Sequence, residues 1–187
     1  MYAQRNKTDH LECGKMSGTL TLVIGGAASG KSAFAENLIV QSQKTRIYIA
    51  TARVLDDEMG EKVQRHKDMR GDGWDTFETP LAPETVLRDR SANEAVLLDC
   101  ATMWLMNHLM DETDRDLAEG NLINALISSE AECVVVTNEL GLGIVPADPL
   151  SRAFRQAQGE LNQQLAAHAD RVVNIVAGLP SVLKGTL

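Results

Sequence analysis

The sequence predicts an α/β fold, a mainly parallel sheet flanked by helices, from three observations. Short β-branched runs alternate with stretches of helical spacing, the order that lays helices over a parallel sheet. Most of these runs are continuously apolar, as strands buried on both faces are. A glycine-rich turn separates the first run from the first helical stretch, a strand–turn–helix arrangement suited to gripping an anion.

Residues 1–17 are polar and aperiodic. They carry no hydrophobic stretch of signal-peptide kind, and a disordered N-terminal tail with no assigned role is expected there. Strands are predicted at Thr19–Ile24, Arg46–Ala50, Ala95–Asp99, Cys133–Thr137 and Arg171–Val176. A helix over Lys31–Gln43 pairs Phe34 with Leu38 and Ala35 with Ile39. A second, over Asp56–Arg70, has acidic residues at its start, Glu58–Lys62 and Glu61–Arg65 as i,i+4 pairs, and Gly71 as its stop. Met59, Val63 and His66 fall on its inward face. Helices over Asp116–Ser128 and Pro149–Ala169 place Leu122, Ile123, Leu126 and Ile127, and then Leu150, Phe154, Ala157, Leu161 and Leu165, toward the core. With no repeat, linker or low-complexity tract, residues 18–187 read as a single domain.

Composition narrows the class. A net charge of −8 lacks the basic stripe of a nucleic-acid binder. No apolar run reaches the ~20 residues that span a bilayer. Cys13, Cys100 and Cys133 are too scattered for a zinc site or a redox pair; they read as idle thiols in a reducing cytoplasm.

Gly25-Gly26-Ala27-Ala28-Ser29-Gly30-Lys31-Ser32 fits G-x-x-x-x-G-K-[ST] in the strand–loop–helix setting that makes the match specific. Backbone N–H groups in such a loop surround phosphate oxygens, the lysine adds charge at the β/γ-phosphates, and the hydroxyl of Ser32 is positioned for Mg²⁺. The second Mg²⁺ residue belongs at the end of a neighbouring strand, and "AVLLDC" supplies Asp99. Glu139 competes for that role but falls just past a strand end. "TNEL" at 137–140 lacks the Lys and Asp of a guanine-specific switch.

Four stretches, "GGAASGKS" (25–32), "YIATARVLDDEM" (48–59) with "RHK" (65–67), "LLDC" (97–100) and "TNELGLGIVP" (137–146), together with "AGLPSVLKG" near the end, carry a family resemblance. The chain resembles the bifunctional adenosylcobinamide kinase/adenosylcobinamide-phosphate guanylyltransferase family of cobalamin biosynthesis over about Thr19 to Gly185. The resemblance implies a RecA-like P-loop domain that phosphorylates the aminopropanol hydroxyl of adenosylcobinamide with ATP or GTP. It then transfers GMP from GTP to the new phosphate, giving adenosylcobinamide-GDP and pyrophosphate. It places the GMP-carrying histidine on His66 and gives Lys31 both triphosphates. Nucleotide contacts fall on Gly25–Ser32, on Thr51, Ala52 and Arg53, on Met69, Arg70, Gly71 and Asp72, and on Glu78 and Asp99. It also implies a homo-oligomer, a trimer with sites between subunits. The family's loop commonly reads G-G-A-R-S-G-K-S, and here Ala28 replaces the Arg.

The residue chemistry agrees with that assignment. An imidazole with an ordinary pKa near ~6.5 is largely neutral at pH 7 and nucleophilic without special activation. Arg53 and Arg70 read equally as phosphate ligands or as surface charges. Trp74 and Trp104 read as packing residues, His168 as structural, and His108 lacks a functional context. Gly141 and Gly143 suit a loop against ligand or a neighbouring subunit, or a plain turn. Two rival readings are a small-molecule kinase of the same fold without guanylyl transfer and a nucleotide-dependent switch.

Overall fold

The computed structural model describes residues 18–54 and 57–187; within 57–70 the side chains of Glu58, Met59, Lys62, Val63, Arg65, His66 and Met69 fall outside that description. The tail with Cys13 and His10, and Asp56 as a helix cap, thus lie outside the described residues.

Along the chain the described elements are β1 (Leu20–Gly25), α1 (Lys31–Gln41), β2 (Thr45–Ala50), α2 (Asp57–Arg70), β3 (Trp74–Glu78), α3 (Glu84–Leu87) and β4 (Glu94–Asp99). They continue with α4 (Ala101–Met110), α5 (Arg115–Ser128), β5 (Glu132–Asn138), α6 (Pro149–His168), β6 (Arg171–Val176) and β7 (Leu179–Lys184). The strands form one sheet in the order β3-β2-β4-β5-β1-β6-β7. All neighbours are parallel except β6 and β7, which form a hairpin. One strand, β5, separates the glycine-loop strand β1 from β4, which ends in Asp99.

The continuous apolar runs have the predicted physical cause. Alternate residues of each central strand enter opposite cores. Leu22, Ile49, Leu98 and Val135 face a layer that includes Trp104, Leu122 and Leu161 of α4, α5 and α6. Val23, Tyr48, Leu97 and Val136 face Ala35 and Ile39 of α1. Helix starts follow capping chemistry: Asp114 accepts from the Leu117 N–H at 3.0 Å, and Asp148, followed by Pro149, accepts from the Ser151 N–H at 2.7 Å.

Four elements were not anticipated: β3, α3, α4 and β7. Two core assignments also fail. Leu150 is 73% exposed, in a first turn of α6 that is exposed on every side, and Ile127 turns partly outward at the end of α5. His168 is exposed in the last turn of α6. Trp104 is fully buried, as a packing residue should be. None of the described helices is long and apolar enough to cross a membrane.

Candidate active site

The glycine loop turns from β1 into α1 at the carboxyl edge of the sheet, where α/β domains bind ligands. Its glycines answer to space. A Cβ on Gly25 would sit 2.4 Å from Ser29 Oγ and 2.8 Å from the Ile175 carbonyl oxygen. A Cβ on Gly30, itself at φ +93°, would sit 3.2 Å from the Cα of Gly178. Gly178 N–H donates to the Ser29 carbonyl at 2.8 Å, so the β6–β7 turn buttresses the loop from beneath. Both central residues of that turn, Ala177 and Gly178, have positive φ, the requirement of a two-residue type I′ hairpin. Ala28, where the resembling family commonly has Arg, is a non-glycine residue at φ 54°. Lys31 Nζ donates to the Gly26 carbonyl at 3.0 Å, folding its charge over the loop.

Beside this loop opens a cleft of about 430 Å³. Lys31, Ser32, Ala52, Arg53, Arg70, Glu78 and Asp99 all line it, so residues from five separate stretches meet there. Thr51 lies behind the lining, fully buried: its hydroxyl donates to the Cys100 carbonyl at 2.8 Å and accepts from the Cys100 N–H at 2.9 Å. Gly71 and Asp72 stand exposed in the turn between α2 and β3 rather than in the lining. The backbone of α2 includes His66 and Met69, whose side chains are outside the description.

Charge in the cleft is organised around Asp99. Tyr48 Oη donates to Asp99 Oδ2 at 3.1 Å. The Arg70 guanidinium lies 3.6 Å over the Tyr48 ring and donates to Thr76 Oγ1 at 3.2 Å, a cation–π contact across the cleft floor. Glu36, one turn along α1 from Ser32, has its carboxyl held above the ordinary range by burial, then by the charge of Asp99, with Arg70 opposing. Burial and then Asp99 also push the Tyr48 phenol upward, so it stays a hydrogen-bond donor. Lys67 pairs with Glu78 at 3.4 Å. Arg53 pairs in bidentate fashion with Asp111, at 2.8 and 2.6 Å, and Asp111 is held below its ordinary range chiefly by that bond. The Cys100 thiol at the cleft wall is pushed up to about 11 by burial and is therefore not a nucleophile at neutral pH.

Tyr48, Lys67, Thr76, Met103 and Asn138 also line the cleft, and sequence reasoning gave none of them a role. For Tyr48 a signal existed: a phenol inside a buried apolar strand must find a partner for its hydroxyl. Among the described residues no cluster of three or more His, Cys, Asp or Glu side chains could hold a metal. Ser32 and Asp99 are hard oxygen donors facing the same cleft, a set that suits Mg²⁺, which keeps several waters and takes only one or two protein ligands.

The loop following β5 is tied to α6. Gly141 N–H donates to Glu139 Oε1, Arg155 donates to the Gly141 carbonyl, and Arg152 Nη1 donates to the Pro146 and Ala147 carbonyls at 3.0 and 2.6 Å. It exposes Leu142 and Ile144 almost completely.

Residues 21–183 match the profile of the family described as Cobinamide kinase / cobinamide phosphate guanyltransferase. The bifunctional adenosylcobalamin biosynthesis protein CobP of Pseudomonas aeruginosa is 42% identical over 167 residues, covering 88% of this chain and 96% of that protein. The bifunctional adenosylcobalamin biosynthesis protein CobU of Escherichia coli is 41% identical over 181 residues, covering 88% and 99%. Among solved structures, the flagellar accessory protein FlaH of Methanocaldococcus jannaschii superposes with a TM-score of 0.51 at 13% identity, covering 91% of this chain and 80% of that one. That likeness concerns the fold alone.

Proposed function

The chain belongs to the cobinamide kinase / cobinamide phosphate guanyltransferase family, and from that premise we propose how its cleft performs the two reactions. In the kinase reaction the aminopropanol hydroxyl of adenosylcobinamide attacks the γ-phosphorus of ATP or GTP. The O–P bond to the nucleoside diphosphate breaks and the hydroxyl proton leaves to solvent. In the transferase reaction a neutral nitrogen of His66 attacks the α-phosphorus of GTP and pyrophosphate departs. An oxygen of adenosylcobinamide phosphate then attacks the same phosphorus, the N–P bond breaks, and adenosylcobinamide-GDP forms.

The single observation that supports this reading is the meeting, in one cleft, of the phosphate loop, Asp99 and the basic residues Arg53, Lys67 and Arg70. Lys31 and the loop N–H groups bind the triphosphate, and positioning with charge neutralisation carries most of the catalysis. Ser32 and Asp99 would hold Mg²⁺. The cation, when bound, would neutralise phosphate charge. Lys67 and Arg70, in the last turn of the helix that carries His66, are poised to keep the departing pyrophosphate or incoming phosphate near it. The exposed Leu142 and Ile144 support a homo-oligomer, a trimer in the proposed form. The unpaired buried thiols of Cys100 and Cys133 suit a cytoplasmic location.

Incubation with Mg²⁺ and α-phosphate-labelled GTP, followed by denaturation, tests the transferase half. Wild-type protein is expected to retain an acid-labile label that His66→Ala abolishes. A folded, GTP-binding protein that takes no label refutes the guanylyl-histidine. Lys31→Ala is expected to depress both reactions; intact corrinoid phosphorylation in that variant would remove the shared cradle.

A further inference from the structure

Helix α4 carries an unassigned row of polar groups. Trp104, Asn107, His108 and Asp111 stand at i, i+3, i+4 and i+7, so they share one face. Each is hydrogen-bonded to a residue that lines the cleft or adjoins its lining. Asn107 is 2% exposed, and its Nδ2 donates to the Thr51 carbonyl at 2.8 Å and to the Pro80 carbonyl at 2.9 Å. Trp104 Nε1 donates to the Leu81 carbonyl at 3.0 Å, and His108 Nε2 meets the same oxygen at 3.0 Å. Asp111, the residue capping the helix C-terminus, holds Arg53.

These contacts have a topological meaning. Thr51 is where the chain leaves β2 for α2, and Pro80 is where it leaves β3 after α2. The β2–β3 ladder ends with Thr79 N–H on the Ala50 carbonyl at 2.9 Å, and Pro80 has no N–H to extend it. From there one buried amide joins the two ends of the stretch 51–80. That stretch contains α2 with His66, Lys67 and Arg70, together with Arg53 and Glu78. The phosphate loop and Asp99 lie outside it, on β1, α1 and β4.

We propose that α4 positions the stretch 51–80 for guanylyl transfer, with Asn107 and Asp111 as its positioning residues. Asn107 fixes the two ends of the excursion, and Asp111 fixes the direction of the Arg53 guanidinium at the cleft wall. The inference rests on His66 as the acceptor of GMP. It differs from a purely structural role in one consequence: loss of the clamp impairs transfer to His66 more than the kinase reaction, whose cradle is anchored elsewhere.

The experiment compares full-length wild type, Asn107→Asp and Asp111→Asn for initial rate of labelling by α-labelled GTP, rate of adenosylcobinamide phosphorylation, KM for GTP and Tm. Asn107→Asp keeps the volume but turns acceptors toward two carbonyls. Labelling is expected to slow about 10²-fold, the size of effect that slight misplacement of a reacting group produces, with a much smaller loss of kinase rate. Asp111→Asn, at a half-exposed pair, is expected to raise the KM for GTP in labelling about threefold with Tm unchanged. Equal loss of both activities in Asn107→Asp, or an unchanged ratio, overturns the proposal. Where that variant does not fold, Asp111→Asn decides, and an unchanged or lowered KM overturns the proposal. Wild type that takes no label refutes the guanylyl-histidine instead, which separates the two failures.

Discussion

Tyr48 is the residue at which the cleft's two kinds of contact meet: its hydroxyl holds Asp99 and its ring face carries Arg70. Tyr48→Phe separates them, keeping the stacked guanidinium and releasing one carboxylate oxygen. We expect both reactions to slow about tenfold, from losing a hydrogen bond to a charged group worth about 1.5–3 kcal/mol, with the far-ultraviolet spectrum unchanged. Retained rates in steady-state assays would show that Asp99 needs no such holder. The place of Asp99 in the cleft was legible, because an acid ending an apolar strand beside a glycine-loop strand lies at the same edge of the sheet. The role proposed for His66 has no signal in local spacing, since an imidazole on a helix face is ordinary; it rests on the wider pattern of motifs. Tyr48 and Asn107 could not be assigned because their partners, 51 and 56 residues away, become neighbours only through the sheet order.

Between elements, Glu119 of α5 is the clearest titrating contact. It is buried against α6, its Oε2 accepts from Gln164 at 2.9 Å, and Arg115 lies 3.4 Å from Oε1. Burial raises its carboxyl above the unfolded value of 4.5, against the pull of Arg115. A raised acid binds its proton more tightly when folded, so the native state carries a cost above the folded pKa that disappears as pH falls toward 4.5. The Tm difference between Glu119→Gln and wild type is therefore expected to be most positive at neutral pH and to decline through that acid window. A difference independent of pH would place the charge of Glu119 in water. The elements that sequence reading missed share physical reasons. β3 is an edge strand whose "WDTFE" is largely exposed, and β7 is an edge strand containing Pro180. α3 is a single turn. α4, "ATMWLMNHLM", buries so much of its circumference, Asn107 and His108 included, that no solvent-facing polar stripe marks its period. The central strands were legible for the converse reason, having one composition because both faces are covered.

At the scale of the molecule, the sheet order gathers distant segments at one carboxyl edge, and the hairpin at the far end reaches back to them. Gly178 sits at φ +77° under Ser29 and Gly30. Gly178→Val should cost about 1–2 kcal/mol through a left-handed backbone alone. It should weaken GTP binding by calorimetry more than Gly120→Ala, whose added Cβ meets no atom within 4 Å in α5. Equal affinities would uncouple the turn from the loop. The coupling has a consequence for the order in which the protein becomes able to act. The phosphate loop is made well before the turn that supports it, which belongs to the β6–β7 hairpin. A nascent chain still lacking that hairpin has its signature motif complete and its grip unsupported. Competence to hold nucleotide should therefore wait on synthesis of β6 and β7, when their hairpin is free to fold back onto β1.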